Sequence, residues 1–170
     1  MFNRCMICRK ILFLFPLLLA IQTIGQVKTE LENDKIRIYN NVIKKSISFS
    51  KKKPSPIQIT SIYNKEKNWE LISQSQETAW FEFVINDQLV QSTDALWQFQ
   101  KVKERKLRNG GTEYQLIFKG HSEPVEGLFV NIYQQFFPNS TLIREKLKLI
   151  SGSKNFKISR LKGELHFIFP

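Results

Sequence analysis

From residue 35 onward apolar and polar residues alternate with a period of two, the pattern of strands that bury one face. Ile36 and Ile38 alternate with Lys35 and Arg37. Ile43, Ile47 and Phe49 share one parity, and Lys44, Ser46 and Ser48 the other. Residues 51–56 interrupt the pattern with three lysines and with Pro54 and Pro56, which cannot donate to a central ladder. Ile57 and Ile59 restart it, and residues 64–68 read as a polar turn. Phe81, Phe83 and Ile85 lie on one side with Glu82 between two of them, and Asn86-Asp87 turns the chain into Leu89 and Val90. Trp97 and Phe99 alternate with Gln98 and Gln100. Asn109-Gly110-Gly111 is the clearest hairpin signal, because Asn-Gly readily supplies positive φ. It leads into Tyr114, Leu116 and Phe118.

Residues 128–133 are apolar on both parities, which predicts a strand covered on both faces. Residues 142–150 fit two templates. Positions 142, 143, 146, 147 and 150 suit a helix face, whereas Ile143, Leu147 and Leu149 suit a strand; the strands on either side favour the strand. Ser151-Gly152-Ser153 breaks the run before Phe156 and Ile158, and residues 165–169 are apolar and aromatic up to Pro170. The expectation is about nine to eleven strands in an all-β, antiparallel β-sandwich. A bare apolar strand at residues 165–169 further suggests a truncated N-terminal part of a longer protein, whose partner surface is missing.

Residues 1–26 stand apart. Arg4, Arg9 and Lys10 precede an apolar run over residues 11–20, and small or polar Thr23, Gly25 and Gln26 come after it. This is the layout of a secretory signal peptide cleaved near Gly25-Gln26, with an apolar run short of the ~20 residues a spanning helix needs; an uncleaved membrane anchor is the competing role. The expectations are a secreted or periplasmic protein, a β-sandwich domain over residues 27–170, and no membrane association after cleavage. Both cysteines, Cys5 and Cys8, fall in the removed segment, so the mature chain has no thiol. Cleavage also lowers the net charge from +11 to +8, since the segment holds three basic residues and no acidic one.

Candidate chemistry is sparse. Asp34, Asp87 and Asp94 are the only aspartates, each in a turn-like or terminal stretch. Glu82 lies in a predicted strand without a partner acid, although glycoside hydrolysis needs two carboxylates about 5–10 Å apart. His121 and His166 are isolated, so neither a catalytic triad nor a zinc spacing is legible, and neither metal nor cofactor is expected. Gly110-Gly111 lacks the Gly-Lys-Ser/Thr of a phosphate loop. Asn139-Ser140-Thr141 fits a glycosylation acceptor or a plain turn. The basic stretches 51–53 and 101–108, near Trp97 and Phe99, are read as solvated loops and not as a nucleic-acid groove. Trp69, Trp80 and Trp97 are the candidate carbohydrate contacts, with core packing the competing role; the alternation places Trp97 in the core and turns Trp80 outward.

One family resemblance emerges from these features. Asp34-Lys-Ile-Arg-Ile-Tyr-Asn-Asn-Val-Ile, Ile57-Gln-Ile-Thr-Ser-Ile-Tyr-Asn, Trp69-Glu-Leu-Ile and Glu82-Phe-Val-Ile-Asn succeed one another in order. Val130-Asn-Ile-Tyr-Gln-Gln-Phe-Phe-Pro-Asn-Ser-Thr-Leu-Ile-Arg-Glu-Lys-Leu-Lys-Leu-Ile and Leu161-Lys-Gly-Glu-Leu come later. This series resembles the N-terminal β-supersandwich domain of alpha-galactosidase-like (family 36-type) glycoside hydrolases over most of residues 34–169. Two positions depart from it: Lys44-Lys45 replaces the usual Arg, and Ser151-Gly152 replaces an Asn expected after Leu149. The resemblance implies a non-catalytic domain, involved in carbohydrate metabolism, that packs on a catalytic (β/α)₈ barrel. Such a barrel alone takes ~250 residues, so no catalytic residue carries over. The alternative expectation is a free-standing carbohydrate-binding or structural module of the cell envelope.

Overall fold

The computed structural model describes residues 26–72, 79–152 and 155–163. Residues 1–25 of the predicted signal segment and residues 165–169 lie outside them. Among the described residues there is no helix, and twelve strands form three antiparallel sheets. The architecture is all-β and consistent with a β-sandwich.

The first sheet is a meander of five strands: β1 (Lys28–Leu31), β2 (Lys35–Tyr39), β3 (Ile43–Ser48), β4 (Gln58–Asn64) and the two-residue β5 (Trp69–Glu70). The second contains β8 (Trp97–Lys106), β9 (Thr112–Gly120), β10 (Leu128–Phe136) and β11 (Ile143–Ser151), each paired with its sequence neighbour. The third is small: β6 (Phe81–Ile85) lies between β7 (Gln88–Gln91) and β12 (Ile158–Gly163). Ile143–Ser151 thus form a strand, registered against β10 along its whole length, with Leu142 just ahead of it.

Local chemistry makes these turns. Asn86 and Asp87 both have positive φ, 48° and 64°, as the tight β6–β7 hairpin requires. Gly110 closes the β8–β9 hairpin at φ 81°, with the Leu107 N–H donating to the Gly111 carbonyl at 2.8 Å. Asn40 and Asn64 act as side-chain turn formers. The Asn40 Oδ1 accepts the N–H groups of Val42 and Ile43, both at 2.7 Å. The Asn64 Oδ1 accepts those of Glu66 and Lys67 at 3.0 Å.

One core joins the three sheets. Ile36, Ile38, Ile43 and Ile47 come from the first, Phe81, Phe83, Ile85 and Val90 from the third, and Trp97, Leu116, Phe118, Val130 and Phe136 from the second. Phe49 stacks on Phe99 with ring centres 4.3 Å apart, and Trp97 meets Phe81 and Phe83 edge-on at 5.4 and 6.0 Å. Each such buried side chain contributes about 1.5–3 kcal/mol relative to an exposed one. Asn40 adds a polar tie between sheets, its Nδ2 donating to the carbonyls of Phe137 and Ser140 at 2.6 and 2.7 Å.

One device alters the sequence pattern. A bulge between Phe99 and Lys101 shifts the β8 register against β9. Before it Phe99 opposes Phe118 on the core side; after it Val102 opposes Leu116 there. Uninterrupted alternation from Trp97 would have aimed Lys101, Lys103 and Arg105 at the core, and the extra residue turns them to the outer face. The basic residues 101–106 are therefore strand, not loop.

Candidate functional site

Three polar side chains occupy core-facing positions. Lys45 sits in β3 on the parity of Ile43 and Ile47, opposite Ile38 of β2 and Ile62 of β4. Glu145 sits in β11 on the parity of Ile143 and Leu147. Gln134, opposite Glu145 in β10, lies between Ile132 and Phe136 on their side of the strand. The three meet. The Lys45 ammonium contacts the Glu145 Oε1 directly across the sandwich. The Gln134 Nε2 donates to the same oxygen at 2.7 Å. Trp80, just ahead of β6, donates its indole N–H to the Glu145 Oε2 at 2.8 Å. The Lys45 Nζ also lies 4.6 Å from the Trp80 ring centre, a cation–π distance.

The electrostatics are set by this geometry. Burial pushes the Lys45 ammonium below its ordinary pKa, against the opposing pull of Glu145. For Glu145, burial is the largest single influence and pushes the carboxyl up. The Lys45 charge and the hydrogen bonds from Lys45, Trp80 and Gln134 outweigh it and hold the carboxyl below its ordinary range. Lys45 is completely buried, and the Glu145 side chain retains 18% exposure. The Lys45 end of the pair is closed to solvent. The pair's chemistry is cohesion: one carboxylate gathers donors from the two larger sheets and from the residue that leads into the third. Removing one partner of such a pair strands a buried charge, at a cost of about 3–5 kcal/mol.

The tryptophans separate. Trp97 is wholly buried, and its indole N–H donates to the Gln91 carbonyl at 2.9 Å. Trp80, which the alternation had turned outward, is 3% exposed; it precedes β6 and folds over the ion pair, so strand parity did not govern it. Trp69 is 58% exposed on the short β5 and alone of the three presents its ring to solvent. The three do not form one platform.

Glu70 and two of the acidic candidates, Glu82 and Asp94, are engaged structurally; the Asp94 Oδ2 accepts the Gln91 N–H at 2.7 Å. The Glu70 carboxylate accepts the Ser61 hydroxyl at 2.6 Å and the Ile62 N–H at 2.8 Å, pinning β5 to β4. Glu82 accepts the Gln91 Nε2 at 3.2 Å and lies 4.0 Å from Arg160. Among the described residues no three of His, Cys, Asp and Glu converge as metal ligands would.

Sequence reasoning passed over Lys45, Gln134 and Glu145 as a group. The usable signal was a charged residue on the apolar parity of its own strand, present at both Lys45 and Glu145. That the two would face each other depends on sheet packing, which no local pattern encodes.

A scan of protein-family models and a search of curated proteins find no match to this chain.

Proposed function

We propose that the chain is a non-catalytic β-sandwich domain, of the supersandwich type, from a secreted alpha-galactosidase-like glycoside hydrolase involved in carbohydrate metabolism. In that setting it packs against a catalytic barrel, which supplies the reacting carboxylates. The observation that carries this reading is the use to which the motif residues are put. Asn40 and Asn64 build turns, Glu70 anchors an edge strand, and Glu145 ties the sheets together. Polar residues that carry a likeness to an enzyme domain are thus committed to architecture, as befits a domain that supports chemistry performed elsewhere.

A second reading, a carbohydrate-binding module, draws support from Trp69 alone, since an exposed flat ring suits stacking on a sugar. The other two tryptophans are buried, so this reading rests on a single ring, and the domain reading is preferred.

Two measurements test the proposal. Purified chain incubated with an aryl alpha-galactoside is expected to release no aryl alcohol above the buffer rate; sustained turnover would refute the non-catalytic assignment. Coding DNA read past the codon for Pro170 is expected to encode barrel sequence in some frame. An unrelated gene there, with no barrel sequence, contradicts the glycosidase context.

A further inference from the structure

The outer face of the β8–β11 sheet carries a charge pattern that the domain reading does not use. Register places its side chains in rows across the four strands. One row is Arg105, Glu113, Gln135 and Arg144; the next is Lys103, Gln115, Tyr133 and Lys146; the third is Lys101, Ile117, Asn131 and Lys148. Each row begins and ends on a cation, and all six of these cations are exposed. Two rails therefore run along the edge strands, about 14 Å apart at the usual strand spacing, with charges recurring about every 6.7 Å. The bulge after Phe99 puts the β8 rail on this face. Glu113 is the acidic residue in these rows, and it already holds Arg105 at 2.7 Å and accepts the Gln135 Nε2 at 2.8 Å.

The floor between the rails is polar. Gln115 donates to the Tyr133 hydroxyl at 3.1 Å. Asn131 is 5% exposed, and its Oδ1 is buried with no hydrogen-bond partner among the described residues. The Gln115 and Gln135 amides on the same face are only half-buried, and their oxygens accept from a donor. Phosphate, sulfate and carboxylate groups ionised at neutral pH bring no donor, whereas sugar hydroxyls do. The aromatics here, Tyr133 and Phe129, are both half-buried, and Lys146 lies 5.9 Å from the Tyr133 ring centre. Open stacking surfaces of the kind that hold single-stranded bases are therefore poorly supplied.

We infer that this face binds a linear acidic polysaccharide. Its carboxylates lie along the two lysine- and arginine-bearing rails, and its hydroxyls meet the half-buried Gln115 and Gln135 amides of the floor. The choice of a glycan leans on the carbohydrate reading above; the requirement for a polyanion comes from the rails alone.

The test is a binding titration of the full chain with polygalacturonate, with neutral dextran and a single-stranded oligonucleotide as comparison ligands. Two variants of equal charge loss accompany it. K103Q/K146Q/K148Q neutralises the rails. K51Q/K52Q/K53Q neutralises the loop whose Lys51 N–H is tied to the Asn33 carbonyl beside the first sheet. The expected result is polygalacturonate binding that weakens steeply between ~50 and ~200 mM salt and is at least about tenfold weaker in the rail variant. Dextran does not bind, and the loop variant matches the parent chain. The inference is overturned by absence of polygalacturonate binding, by equal losses in the two variants, or by tighter binding of the oligonucleotide. Each outcome is independent of alpha-galactoside turnover, so the failure of this inference and the failure of the domain reading remain distinguishable.

Discussion

The Glu145 carboxylate concentrates the energetics of the interior. It holds a cation, an indole N–H and an amide in a space that the surrounding strands fill with Ile and Leu. Its depressed pKa has a consequence for acid stability. The unfolded chain takes up the proton near the ordinary carboxylate value of 4.5, while the folded chain resists. The stabilisation is therefore complete above that value and is lost as pH falls through the lower folded value. Chemical denaturation between pH 3 and 7 should show stability falling on the acid side, about pH 4.5 and below, and E145Q should flatten that part of the curve. An unchanged acid slope in E145Q would remove Glu145 from the explanation. At this scale the sequence was half legible: Lys45 stands between Ile43 and Ile47 as an obvious exception to alternation, but its partner lies 100 positions away.

Elements were legible where turn chemistry or apolar alternation marked them. Asn86-Asp87 and Asn109-Gly110 appear as hairpins, and β11 forms where two templates competed. β1 was not expected, because Lys28–Leu31 carries no apolar alternation and forms through backbone pairing with β2. The outer stretch of β8 was hidden for a related reason: a one-residue bulge reverses the parity, and the residues beyond it are mostly charged. Close approach between elements is a further constraint that sequence conceals. A Cβ at Gly120, the last residue of β9, would stand 2.0 Å from the Val125 carbonyl oxygen, whereas one at Gly110 meets open space at φ +81°. G120A should cost roughly 1–3 kcal/mol or more through overpacking. G110A should cost about 1–2 kcal/mol through left-handed backbone strain alone. Urea midpoints for the two variants check the order, and a G120A midpoint equal to the parent's would show that the β9–β10 connection yields to the added methyl.

At the scale of the whole molecule, three sheets share one core and one polar knot, and the outer basic face lies on the opposite side of the second sheet from that knot. Charge inside this protein locks sheets together, and the account of a supporting domain rests on that use. A double-mutant cycle measures it most directly, with urea unfolding of K45M, E145L and the K45M/E145L double variant against the parent chain. Each single change should cost about 3–5 kcal/mol, because it strands the other charge in the core. The double variant should lose clearly less than the sum, with a coupling of about 2–3 kcal/mol. Single-variant costs that add to within ~0.5 kcal/mol would contradict the claim that Lys45 and Glu145 bind the sandwich together.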